Sequence, residues 1–445
     1  MASTAAAEVI GDNKELAVEI LQYLPAKSLI WFNGNKDPVV EILQYLPAKS
    51  LIRFKSVSKA WLSFISPPGF SLLWQSHHHP KVSGLVFNPR SRTETIKYIP
   101  LTHSEDLRNQ CDIAAVINGG EENSSPPLFR RAMYARIIDS RNGFLLVSFN
   151  KKQSCSSDWR RSYHVYDPTT KQFSTLPRPF PVTFTSSLGD NVYLVFDPLK
   201  SLHHKVVLVQ ASEPGSACLI QIHIYSSETN DWWRSPLDDD IGDFHPFPKS
   251  LNNSLNSVDL DLNGGVFCNG SIHWFSCYSQ KTNLYFDVDQ ERFRPMPSPP
   301  YAACFKWHFG ESGGHLHYIR YYDNMGFNVN VSEMESDYSK WTTKYRVCIN
   351  MTTMVVDLAL EEMKMVVCNS ITALSLIHGE DEGDVFLVLV VRTKMMNYTI
   401  ISYNIKENTL KKLGDVSRCH VSWHDRCSWT PHPCIHSYIE TLFPV

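Results

Sequence analysis

The 445-residue sequence contains no run of about 18 uninterrupted apolar residues, so no membrane span is expected. Its start, MASTAAAEVIGDNKE, lacks a basic stretch followed by an apolar one, and no secretory signal is expected. It lacks a charge imbalance: 42 Lys and Arg stand against 45 Asp and Glu, a net charge of −3. Nothing in that balance draws the chain to nucleic acid or to an anionic membrane, and neither is expected as a partner. Cys-x-x-Cys is absent, and the cysteines number eleven, an odd count spread from Cys111 to Cys434. Reduced thiols in the cytoplasm or nucleus are the better reading, and the Asn-x-Ser/Thr triplets are then chance matches. Catalytic signatures are also missing. There is no G-x-S-x-G elbow, no phosphate loop, no G-x-G-x-x-G after a strand and no H-E-x-x-H, so no catalytic residue and no cofactor is expected.

What is present divides the chain in two. The first 70 residues have helical texture. Residues 18–30 read VEILQYLPAKSLI, and residues 40–52 repeat them without a mismatch. In the second copy Val40, Ile42, Leu43 and Leu46 recur at helical spacing, and Pro47 breaks that helix and can open the next. Leu51, Phe54 and Val57 continue the pattern. Ser56 or Ser58 can cap a third helix carrying Trp61, Leu62 and Ile65, which Pro67-Pro68-Gly69 stops. Three such short helices make too small a core to stand alone, so their apolar faces must meet the rest of the chain or another protein.

From Lys81 onward, short runs rich in Val, Ile, Phe, Tyr and Leu alternate with Asn, Asp, Gly, Pro and Ser clusters. Val82–Phe87, Phe144–Phe149, Val192–Phe196, Lys205–Val209, Leu284–Val288 and Tyr398–Tyr403 are examples. No convincing helical period appears there; Leu358–Met363 comes nearest and is short. A motif recurs: an aromatic-ended strand, a turn, then another aromatic. It reads YHVYDPTTKQFSTLP at 163–177, IHIYSSETNDWWRSP at 222–236 and LYFDVDQERFRPMP at 284–297, with a fainter TIISYNIKENTLKKL at 399–413. A second motif, Asn-Gly-Ser-Ile-His-Trp-Phe at 269–275, has a partner in Gly-Gly-His-Leu-His-Tyr-Ile at 313–319. Repeats of this length predict a large all-β domain, a β-propeller of six or seven blades. Val82–Phe87 and Ile435–Leu442 are suited to closing the ring. The stretches Gly119–Pro127 and Asp238–Asn263 read as loops.

Other clusters carry weaker signals. His77-His78-His79-Pro80 reads as a linker. Cys419, His420, His424, Cys427, His432, Cys434 and His436 offer metal-ligating atoms, but at spacings that match no familiar finger, so no metal site is expected. Asp238-Asp239-Asp240 reads as a solvated acidic loop and Trp232-Trp233 as packing between strands.

The stretch PVVEILQYLPAKSLIRFKSVSKAWLSFIS closely resembles an F-box. The β motifs, Tyr-Asp-Pro-Thr-Thr-Lys-Gln-Phe before Leu-Pro and Asn-Gly-x-Ile-His-Trp, resemble plant F-box-associated domains and their kelch-type relatives. The resemblance implies a substrate-recruiting, non-catalytic subunit of a Skp1–cullin–F-box ubiquitin ligase. A Skp1-type adaptor, and through it cullin, would be the partner, together with an unidentified target protein. Ile42, Leu46, Pro47, Leu51, Val57 and Trp61 would form or support the adaptor-binding surface, with Leu43 and Phe54 equally suited to the module's own core. The expected organisation is a segment 1–36 holding a partial duplicated helix, an F-box at 37–70, a linker at 71–80 and the β domain at 81–445. Only the second copy of the repeat runs directly into Arg53, so it is expected to form the working module; the competing outcome is that the first copy supplies the first helices and the second is bulged out. The competing reading is a propeller enzyme, such as a glycosidase with carboxylates in its central channel.

Overall fold

The computed structural model describes residues 43–57, 59–77, 82–88, 96–101, 135–152, 159–178, 191–211, 220–236, 264–275, 283–300, 306–323, 326–350, 371–379, 383–392, 398–416, 435–439 and 441–443. Among the described residues three helices come first: α1 (Ala48–Val57), α2 (Lys59–Ile65) and α3 (Pro68–His77). The proline–glycine sequence at 67–69 ends one helix, as expected, but it also begins another. Pro68 occupies the first position of α3, where its fixed φ suits a helix and its missing N–H has no intrahelical acceptor to lose. Most of the expected linker at 71–80 is therefore helix, through His77. Leu358–Met363, both expected loops and the acidic triplet lie outside the described residues.

Twenty-three strands follow, and they form six sheets. Blade 1 joins β1 (Val82–Phe87) and β2 (Lys97–Pro100) to the last strand, β23 (Ile435–Ile439). Blade 2 is β3 (Ala135–Arg141), β4 (Phe144–Lys152), β5 (Trp159–Asp167) and β6 (Gln172–Thr175). Blade 3 is β7 (Asn191–Val195), β8 (Lys205–Ala211), β9 (Ile220–Ser226) and β10 (Asp231–Arg234). Blade 4 is β11 (Val266–Cys268), β12 (Ser271–Trp274), β13 (Asn283–Asp287) and β14 (Arg292–Met296). Blade 5 is β15 (Trp307–Ser312), β16 (His315–Asp323), β17 (Phe327–Met334) and β18 (Trp341–Ile349). Blade 6 is β19 (Ile371–His378), β20 (Val385–Arg392), β21 (Tyr398–Asn404) and β22 (Thr409–Val416).

The molecule is thus a six-bladed β-propeller with a helical module at its N-terminal end. β1 pairs with β23 antiparallel, Phe87 opposite Ile435, so the first strand and the last close the ring. Six apolar clusters lie between neighbouring blades, one at every junction. Blades 2 and 3, for instance, share Phe144, Leu146, Leu194, Phe196 and Leu208, all at most 1% exposed. Burying both faces of each sheet in this way stabilises the ring by about 25 cal/mol for each Å² of apolar surface removed from water.

The recurring motif is the hairpin between the third and fourth strands of a blade. In each case the aromatic one residue before the end of the third strand faces the second residue of the fourth: Tyr166 opposite Phe173, Tyr225 opposite Trp232, Phe286 opposite Phe293 and Tyr403 opposite Leu410. The residue after the aromatic then caps the turn. Asp167 Oδ1 accepts from the Thr169 N–H, Asp287 Oδ1 from Asp289, and Asn404 Oδ1 from Lys406. The second motif is the turn between the first two strands. Asn269 and Gly270 both have positive φ, as a two-residue hairpin of this hand requires.

Candidate functional site

Two features of the architecture present binding surface: the helical module and the central channel. The module builds a small core from Leu43, Leu46, Leu51, Phe54, Ile65, Phe70 and Trp74, all buried. Of the six residues expected at the adaptor surface, Leu46 and Leu51 are completely buried within the chain and Pro47 is half-buried. Leu46 and Leu51 thus belong to the core of the module. Ile42 lies outside the described residues, and so do the side chains of Val57 and Trp61, whose backbones belong to α1 and α2. The apolar residue that the described part of the module does present to solvent is Leu62 on α2, 45% exposed. It sits one residue from Trp61 and was not among the residues expected at the adaptor surface, because periodicity alone does not say which side of so short a helix is covered.

The module is fastened to the propeller. Trp74 Nε1 on α3 donates to the Leu46 carbonyl at 2.7 Å, tying α3 to the start of the module. Ser71 Oγ on the same helix donates to the Leu442 carbonyl at 3.1 Å, and Leu72 packs against the cluster between blades 2 and 3. That cluster includes Phe443, which meets Phe196 edge-on with ring centroids 5.6 Å apart. The segment after β23 therefore wedges between module and ring. Gly143 makes room for it: at φ +92° a side chain would be strained, and a Cβ there would lie 2.3 Å from Thr441 Cγ2.

The turn after β5 belongs to the same junction. Thr169 Oγ1 bonds Tyr438 Oη at 2.7 Å, and burial lowers the pKa of Lys55 of α1, opposed by Asp167. Asp167 is fully buried, and burial pushes its carboxyl up to about 7, against hydrogen bonds from Thr170 and Thr169. Its folded pKa thus exceeds the usual 3.8, so the folded protein holds a proton that the unfolded chain releases. Stability from this group is complete below pH 3.8 and is lost as pH rises to about 7. Asp167→Asn should remove that loss. In urea titrations, the midpoint of the variant minus that of the wild type is expected to grow between pH 4 and 7 and then level off. A difference constant with pH would contradict the burial argument.

The channel runs along the inner strands β3, β7, β11, β15, β19 and β23 and encloses a cavity of about 650 Å³. Blades 2 and 5 are three apart in a ring of six, so β3 and β15 face each other. Arg141, the last residue of β3, crosses the channel: its Nη1 lies 3.3 Å from Glu311 Oε2, and its Nε lies 3.6 Å from Asp139 Oδ1. The guanidinium also sits 5.9 Å from the Phe267 ring centroid. Asp139 is held by the Leu194 N–H at 2.9 Å, and burial raises its pKa, opposed by Arg141. The channel therefore does hold carboxylates, as the enzyme reading requires, but one arginine clamps both Asp139 and Glu311. Ser312 Oγ bonds His378 Nδ1 at 2.8 Å, and burial pushes the neighbouring His308 down to about 4, leaving it neutral near pH 7.

The inner strands end on the face that carries the helices, where the connections are short: Asn142-Gly143, Asn269-Gly270 and Gly313-Gly314. From blade 2 onward, the connections that carry the chain from one blade to the next start and end at the other face. They join Thr175 to Asn191, Arg234 to Val266, Ile349 to Ile371 and Val416 to Ile435.

Other expected positions resolve as packing. Trp232 is buried and its Nε1 donates to the Pro177 carbonyl, while Trp233 Nε1 donates to Glu291 Oε1 in the next blade, each at 2.8 Å. His273 of the second motif bridges blades 4 and 5, with Nδ1 on the Val266 carbonyl at 3.1 Å and Nε2 on Tyr338 Oη at 2.8 Å. His436 bonds Asn88, and the rest of the Cys–His cluster lies outside the described residues.

Comparison with known families meets this geometry at both ends of the chain. Residues 120–424 match the F-box associated beta propeller domain. The chain belongs to that family. An F-box domain matches residues 36–72, a span that takes in the second copy of the repeat, α1, α2 and the first half of α3 and leaves the first copy out. F-box protein At5g07610 of Arabidopsis thaliana is 29% identical over 368 residues, covering 78% of this chain and 72% of the relative. F-box protein At5g03970 of the same plant is 25% identical over 185 residues, covering 41% of this chain and 40% of its own length. An F-box joined to a propeller of this family is the composition of a substrate adaptor.

Proposed function

We propose that this protein recruits targets to a Skp1–cullin–F-box ubiquitin ligase. The helical module docks on a Skp1-type adaptor and through it on cullin, in the cytoplasm or nucleus. The propeller holds a target protein, and ubiquitin transfer is done by other subunits, so the contribution of this chain is proximity and orientation. The observation that carries the proposal is the pairing of an F-box with a family propeller to which it is fastened by side-chain bonds and shared apolar packing. A module so held keeps a fixed geometry between adaptor and target.

Co-purification of the full chain with Skp1 and cullin tests this. Binding is expected for the wild type and its loss for Trp61→Ala. Leu62→Arg gives a cleaner control, since a charge at a half-exposed site leaves the core intact. It should reduce adaptor binding at least tenfold with little change in stability. Deleting residues 31–52 joins Ile30 to Arg53, restores a single uninterrupted copy and should preserve binding. Failure of the wild type to bind Skp1 would overturn the proposal.

A further inference from the structure

We propose that the central channel is a binding pocket for a small organic cation, an amine or a guanidinium compound. Asn191 carries the argument. It opens β7, lines the cavity and is more than nine-tenths buried, yet its Oδ1 has no hydrogen-bond partner. Gln75 of α3 also lines the cavity, and its Oε1 is buried without a partner. A buried acceptor left unpaired costs about 1–3 kcal/mol, so each end of the channel, Asn191 at the start of β7 and Gln75 on the module face, calls for something that donates to it.

The rest of the wall selects the charge of that donor. Asp139, Asp197 and Glu311 line the cavity, while the arginines there are Arg141, already paired with two of these carboxylates, and Arg136, which is exposed. Aromatic rings complete the lining at Phe267, Phe275, Trp307 and Phe309. The channel already houses one planar cation in this setting, the Arg141 guanidinium beside Phe267. A second cation would find acceptors, carboxylates and ring faces together. About 650 Å³ is the size of a small-molecule site. This pocket is independent of adaptor binding, and a chain that failed to bind Skp1 could still possess it.

Titration calorimetry on the full-length protein tests the pocket, with agmatine and putrescine as cationic probes, glucose as a neutral one and glutamate as an anionic one. Agmatine should bind saturably, and Asn191→Leu combined with Gln75→Leu should weaken it roughly tenfold or more. Because each substitution removes an unpaired acceptor, the thermal midpoint of the ligand-free protein should stay the same or rise. Unfolding of either single variant would show that its amide is satisfied within the protein and would overturn the pocket. So would the absence of binding by both cations, a preference for glucose or glutamate, or agmatine binding that survives both substitutions.

Discussion

Phe443→Ala is expected to cost about 3–5 kcal/mol of stability, the range for emptying a buried aromatic site. Phe443 is 2% exposed and lies where blade 2, blade 3 and α3 converge. Removing its ring leaves Phe196 without its edge-on partner and Leu72 without a floor. The cavity cannot collapse readily, because Phe144 and Phe196, stacked at 4.6 Å, are fixed by the sheets behind them. The effect should appear in two readouts: a lower denaturant midpoint, and faster proteolytic cutting in the helical module, which loses its seat. A loss below about 1 kcal/mol would mean that the C-terminal segment only rests on the junction.

Asn88→Ala should be nearly as damaging, for a different reason. Asn88 is 2% exposed and reads both backbone groups of one residue: its Oδ1 accepts from the Ile137 N–H at 2.8 Å and its Nδ2 donates to the Ile137 carbonyl at 2.6 Å. It therefore stitches blade 1, the closing blade, to the inner strand of blade 2. Alanine strands a buried donor and a buried acceptor, each worth about 1–3 kcal/mol, so a total of about 2–6 kcal/mol is expected. Asn88→Asp keeps the acceptor for the Ile137 N–H and loses the donor, so it should fall between wild type and alanine. Hydrogen exchange at the Ile137 amide separates the two variants: it should quicken strongly in Asn88→Ala and less in Asn88→Asp.

The turns were legible in the sequence because their chemistry is local. A tyrosine or phenylalanine followed by Asp, Asn or Ser, then a short polar run and another large apolar residue, specifies a capped hairpin within a dozen residues. The copy in blade 5 keeps the spacing but was not singled out: Met334 faces Trp341 there, and the strand before it, FNVNVSEM, is more polar than its counterparts. The F-box was legible for the same reason of proximity. α3 was not, since a Pro-Pro-Gly run signals an ending more readily than a start. The channel escaped sequence reading almost entirely. Arg141 and Glu311 lie 170 positions apart and meet only because a ring of six sets their strands face to face. Asn88 and Ile137, 49 positions apart, likewise carry no local mark of their partnership.

Ring closure through the first and last strands also sets the order in which the protein can assemble. β1 waits for β23, and the bonds that seat the module, such as Ser71 to Leu442, span 371 positions. Contacts of such separation form slowly, and during synthesis five blades emerge before the strand that completes the sixth. Until then β1 presents an unpaired edge and the faces of blades 1 and 2 lack Tyr438. Newly made chains thus pass through an open, sticky arc, and the window for misassembly closes only when the final segment folds home.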